Sequence, residues 1–88
     1  MSLTPIRISN RFRKQLQKKP SAMQDEIADA VTQLRRDHRY PGLRTHRVWG
    51  QPGVYEARLD AGNRLTFHWD GDTIVLRAHC NHDILNRP

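Results

Sequence analysis

Between Leu43 and His82 the chain falls, with a period of two, into four short runs split by turn-forming clusters. The runs are Arg44–Trp49, Val54–Leu59, Arg64–Trp69 and Thr73–Cys80. The breaks are Gly50-Gln51-Pro52-Gly53, Asp60-Ala61-Gly62-Asn63 and Asp70-Gly71-Asp72, the residue types that reverse a chain. Gly62 is free to take a positive φ, and Asp70-Gly71 is a strong hairpin signal. Short strands joined by such turns pair as an antiparallel meander. The Val48-Trp49 pair suggests a bulge near the first hairpin.

Alternation predicts two unlike faces. Tyr55, Ala57, Leu59, Leu65, Phe67, Trp69, Ile74, Leu76 and Ala78 share the parity of a core surface. The other parity carries Glu56, Arg58, Arg64, Thr66, His68, Arg77 and His79, with Val75 among them. Function is expected on this second face. The plainer reading is a solvated face that keeps one side of a sheet wet.

The first half reads as helical. Leu3–Ile8 is short, and Pro5 argues for an edge position if it is a strand. Ser9 or Asn10 suits the cap of a helix in which Ile8, Phe12 and Leu16 recur every four residues. Pro20 ends that helix. Ser21 and Gln24 then read as a capping box, and Met23, Ile27, Ala30, Val31 and Leu34 form the apolar stripe of a second helix. The expected fold is α+β: an N-terminal helical hairpin packed on one face of a twisted antiparallel sheet. Residues 1–88 are read as one domain, with Asn81–Pro88 long enough for one short helical turn that sets His82 and Asp83 beside the last strand.

Composition narrows the partners. In 88 residues, 15 Lys plus Arg stand against 9 Asp plus Glu, a formal charge of +6. That sign on so small a surface suits a polyanion or an acidic protein, although it also serves solubility. One cysteine, Cys80, excludes an internal disulfide and fits a reducing compartment. With no signal-peptide pattern and no apolar run of membrane length, the expected location is the cytoplasm, with no membrane partner.

Three chemistries can be weighed on the residues. Arg58, Arg64 and Arg77, with His68, His79 and His82, supply guanidinium forks and proton carriers. These would suit a metal-free cleavage of RNA through its own 2′-OH. His79-Cys80-Asn81-His82-Asp83 falls short of a zinc ligand set, so no metal and no cofactor is expected. Cys80 has core parity, so it reads as a buried, inert thiol. Trp49, Tyr55 and Trp69 can stack on bases, but core parity favours packing for the last two.

Order and spacing then matter. Two basic helices are followed by Gly42-Leu43-Arg44-Thr45-His46, by Gly53-Val54-Tyr55-Glu56-Ala57-Arg58-Leu59, by Asn63-Arg64-Leu65-Thr66-Phe67, and by His82-Asp83. This series resembles the RelE/ParE superfamily of type II toxins from toxin–antitoxin modules, over nearly the whole chain. The resemblance implies a toxin held inactive by an acidic antitoxin. In the RelE-like branch, with its YoeB-like and YafQ-like members, it implies an mRNA endoribonuclease working at the ribosomal A site. The ParE-like branch instead implies binding to DNA gyrase without RNA cleavage, and a degenerate member would bind only antitoxin or nucleic acid.

Carried over by position, Arg64 matches the arginine that stabilises the scissile phosphate, and His82 matches the C-terminal general acid. Arg58 matches an RNA-holding sheet arginine, and His46 a histidine of the active centre. The glutamate that serves YoeB-like toxins as base would fall near Gly42 and is missing, which leaves Glu56, His46 or His68 to supply that role. Asp83 stands where an aromatic ends RelE, and either orients His82 or caps the last turn. Arg77, Lys14 and Lys18, with His68 and His79, are expected to hold RNA or rRNA phosphates.

Overall fold

The computed structural model describes residues 3–81. Its elements are β1 (Ile6–Ile8), α1 (Asn10–Gln17), α2 (Ser21–Arg36), a 3-10 turn (Pro41–Leu43), β2 (His46–Arg47), β3 (Val54–Arg58), β4 (Asn63–Asp70) and β5 (Thr73–Asn81). The five strands lie in the order β1-β5-β4-β3-β2. The meander from β2 to β5 is antiparallel, as the turn clusters require, while β1 adds itself to β5 as a parallel edge strand. Pro5, just before it, is tolerated at such an edge. Among the described residues no helix is long and apolar enough to cross a membrane.

One face of the sheet carries the helices. Phe12 from α1 and Ile27 and Leu34 from α2 are buried against Ala57, Leu65, Phe67, Ile74 and Leu76. Ser9 caps α1, its hydroxyl accepting the Phe12 amide at 3.1 Å. The second helix starts differently from the capping box read in the sequence. Pro20 is its N-cap, and Gln24 turns back to donate to the Leu16 and Lys19 carbonyls at 3.0 and 3.1 Å. Gln24 thus satisfies the end of α1, where carbonyls lack helical partners.

Two turns depart from expectation. Gly62 has no positive φ. The β3–β4 turn is held instead by Asp60, whose Oδ1 accepts the Gly62 amide at 2.8 Å and the Asn63 amide at 2.9 Å, an Asx-type closure. Hydrogen bonds from the Glu26 carboxyl, then from Asn63 and Gly62, hold Asp60 down at about 2. Glu26 is correspondingly pushed up. The first run contributes only His46–Arg47 as strand, because Pro41–Leu43 forms the 3-10 turn and Arg44 takes a left-handed backbone, φ 47°. At β4–β5 the two-residue loop opens on Gly71 (φ 59°), the position a type II′ turn reserves for glycine.

The most consequential departure lies in β5. Thr66 pairs with Ala78, but Phe67 pairs with Leu76, so Arg77 is an extra residue and forms a bulge. Ser9 latches it: its amide donates to the Leu76 carbonyl at 3.0 Å and its hydroxyl to the Arg77 carbonyl at 3.0 Å. Beyond the bulge the alternation inverts. Ala78 and Cys80 stand opposite Thr66 and Arg64, and His79 stands opposite Leu65. The bulge expected at Val48-Trp49 is a turn instead, with Gln51 donating to the Val48 carbonyl at 3.2 Å.

Candidate nucleic-acid cleavage site

The face away from the helices is built in rows across the strands. One row runs His46–Glu56–Thr66–Ala78, and the next runs Arg58–Arg64–Cys80. Cross-strand neighbours on one face stand close enough for their side chains to meet. Here they do. Arg64 Nη1 donates to Glu56 Oε1 at 3.0 Å, and His46 Nε2 lies 3.6 Å from the same oxygen. Glu56 is only 6% exposed, which makes it the single buried carboxylate among the described residues. A buried carboxylate without a cation would be strongly unfavourable, so the Arg64 guanidinium is what allows it to stay there.

The imidazole is oriented from behind. His46 Nδ1 lies 2.7 Å from the Arg44 carbonyl, an oxygen that can only accept, so Nδ1 carries a proton and Nε2 faces Glu56. The left-handed turn at Arg44 aims that carbonyl at the ring. Arg64 uses one Nη1 hydrogen on Glu56, and the rest of its fork has no partner among the described residues. Arg58 sits directly across from it and donates Nε to the Asp60 carbonyl at 3.1 Å.

A second group lies at the other end of the face. Arg77, thrown outward by the bulge, lies with Nη1 3.1 Å from His68 Nδ1. The guanidinium must be the donor, so His68 keeps its proton on Nε2. Arg64 and His68 are four strand residues apart, about 13 Å. Lys14 on α1 and Lys18 at its C-cap are exposed, in the layer across the sheet, and do not join either group. Trp49 projects from its turn with 97% exposure. His82 and Asp83 lie outside the described residues. The last one described, Asn81, pairs with Asn63, next to Arg64.

His79 does not belong to this face. The bulge turns it to the helix side, where it is 5% exposed, its amide donates to Gln15 Oε1 at 2.8 Å and neither ring nitrogen has a partner among the described residues. Burial, then the charge of Lys19, pushes its pKa down, against a smaller opposite pull from Asp60. Cys80 moves the other way, onto the face of Arg64, where burial pushes the thiol up. A neutral thiol is a poor nucleophile, so Cys80 is inert for a different reason from the one its parity implied. Among the described residues no three His, Cys, Asp or Glu side chains gather as metal ligands would.

The burial of His79 gives a stability prediction. Its folded pKa lies below the unfolded 6.5, so its neutral form costs nothing extra above that pH. As pH falls through 6.5 towards the folded value, the unfolded chain takes up the proton first and stability is lost. His79→Leu removes two unpartnered polar atoms and this proton linkage. Urea unfolding should find the variant more stable than wild type by about 1 kcal/mol or more at pH 5, with a smaller gain at pH 7.5. Equal gains at both pH values would mean that the imidazole is not neutral by burial.

No family model matches the sequence, and no curated protein matches it. Solved structures do. A chain of the RelBE2 toxin–antitoxin complex from Mycobacterium tuberculosis superposes with a TM-score of 0.73 at 21% identity, covering 91% of this chain and 99% of that one. YafQ from E. coli strain BL21(DE3) gives 0.74 at 13% identity, covering 91% and 94%. A YoeB/ParE toxin from Agrobacterium tumefaciens gives 0.73 at 14% identity, covering 89% and 98%. The chain therefore has the fold shared by RelE, YoeB and YafQ toxins.

Proposed function

We propose that this chain, carrying the RelE-like fold, is the toxin of a type II toxin–antitoxin pair and a metal-free endoribonuclease that cuts mRNA in the ribosomal A site. The observation that carries the reading is the convergence of Arg64, Glu56 and His46 on the sheet face opposite α1 and α2. None of the three fills the core, and together they supply a phosphate clamp and a proton acceptor.

RNA provides the nucleophile. The 2′-oxygen attacks the adjacent phosphorus as its proton leaves to a base, and the 5′-oxygen departs as it gains a proton from an acid. Glu56 is buried and its Oε1 already accepts from the Arg64 guanidinium, whereas His46 is well exposed. We assign the base to His46 Nε2, with the Arg44 carbonyl holding the ring from behind through Nδ1 and Glu56 balancing the imidazolium once it forms. The free part of the Arg64 fork neutralises the charge that grows on the non-bridging oxygens. The acid is His82, on the strength of the family resemblance. Arg58 holds the neighbouring backbone and the Arg77–His68 pair a phosphate further along. Lys14 and Lys18, across the sheet, are left to ribosomal RNA.

The charge of +6 suits both ribosomal RNA and an acidic antitoxin that covers the same face, with the cytoplasm as the place of action. Programmed ribosomes incubated with the purified protein should yield mRNA cut within the A-site codon. Intact mRNA, together with inhibition of gyrase supercoiling by the same protein, would replace this reading with a ParE-like binding toxin.

A further inference from the structure

On the helix side of the sheet, where the chain enters β2, lies an open cup of about 540 Å³. Its floor is aromatic. Tyr55 stacks on Phe67 with ring centroids 5.6 Å apart and planes 21° from parallel. Trp69 meets Phe67 edge-on at 6.3 Å, and His38 meets Trp69 edge-on at 5.1 Å. Phe67 is sealed, but Tyr55 and Trp69 are only half-buried and keep surface towards the cup.

The rim is cationic. Arg39, Arg44 and Arg47 line it, and no carboxylate among the described residues does. Two details suggest a site rather than an accident of packing. Thr45 Oγ1, also in the lining, is buried and has no hydrogen-bond partner among the described residues. Arg44 is the one non-glycine among the described residues with a positive φ. Glycine would fill that position without strain, yet the chain places a guanidinium there. An aliphatic ligand would leave the cations unused, and a bare anion would leave the rings unused. A planar, anionic group uses both.

We propose that the cup binds one unpaired nucleotide, with its base on Tyr55 and Trp69 and its phosphate on the arginine rim led by Arg44. Base–aromatic stacking and bidentate arginine–phosphate contact are the two terms by which proteins hold single strands. His46 belongs to both places, since it lines the cup and faces Glu56. As a hold on the strand that enters or leaves the cleavage site, the cup rests on the ribonuclease reading. Its affinity for a nucleotide does not.

The test follows Trp69 fluorescence in a Trp49→Phe background, which leaves one tryptophan of the chain's two. Adenosine 3′-monophosphate should quench it saturably. Arg44→Gly suits the left-handed backbone and so keeps the fold, and it should weaken binding by about tenfold through loss of a charge-assisted contact. Arg64→Ala should leave the quenching unchanged. Quenching that Arg64→Ala abolishes and Arg44→Gly spares would place the nucleotide on the other face and overturn the proposal. So would no quenching at millimolar nucleotide, whether or not an acidic peptide quenches instead. A protein that binds the nucleotide but cuts no RNA would refute the ribonuclease reading and leave the cup standing.

Discussion

Replacing Arg64 by alanine should lower the proposed RNA cleavage by about a hundredfold to a thousandfold, the loss that follows when a preorganised donor to a developing oxyanion is removed. The substitution has a second cost. Glu56 is buried and its closest cation is the Arg64 guanidinium at 3.0 Å, so its loss leaves a desolvated carboxylate facing only His46. A melting curve should therefore show Arg64→Ala folded but less stable. Arg64→Lys separates the two effects. It keeps a positive charge for Glu56 and most of the stability, but lacks the planar fork, so its activity stays low. Recovery of full activity in Arg64→Lys would reduce the role of Arg64 to charge alone. Wild-type cleavage by a folded Arg64→Ala would remove it from the mechanism.

The largest effect on stability is expected at Phe67. It is fully buried, stacks on Tyr55, meets Trp69 edge-on and lies in the same cluster as Phe12, Ile27 and Leu34. It is also the residue at which the β4–β5 register shifts. Truncation to alanine removes an aromatic ring that the surrounding helices and strands cannot collapse to replace, at a cost of about 3–5 kcal/mol. Small domains have roughly 5–15 kcal/mol in total, so a large fraction of Phe67→Ala should be unfolded near 37 °C. Denaturant unfolding measures this directly. A loss below about 1 kcal/mol would mean that the sheet and the helices are not locked through this ring.

Much of this molecule could be read from residue order. The turn clusters located three hairpins, the alternation of Tyr55–Leu59 and Leu65–Trp69 gave the core face of β3 and β4, and spacing placed both helices. Glu56 and Arg64 were legible as residues of one face because no irregularity interrupts β3 or the β3–β4 pairing, so parity survives along them. The failures cluster after Arg77. Period two carries no marker for an inserted residue, and the bulge that exchanges His79 for Cys80 is fixed by Ser9, some seventy positions earlier in the chain. The partners of Asp60 and Gln24 escaped the sequence for a related reason. Their side chains cap backbone groups that become neighbours only once the chain turns. The cup could not have been read at all, since Arg44, Tyr55 and Trp69 meet through a left-handed turn in a position held by arginine, not glycine.

The nucleophile is the centre of the mechanism. The most direct measurement uses an mRNA carrying a single 2′-deoxynucleotide on the 5′ side of the cleaved bond, read by end-labelled mapping on programmed ribosomes. The expected result is no cut at that bond, with unmodified RNA giving a 2′,3′-cyclic phosphate or 3′-phosphate end. Cleavage that persists at the deoxynucleotide, or leaves a 3′-hydroxyl, would contradict attack by the 2′-oxygen and with it the roles given to His46, Glu56 and Arg64.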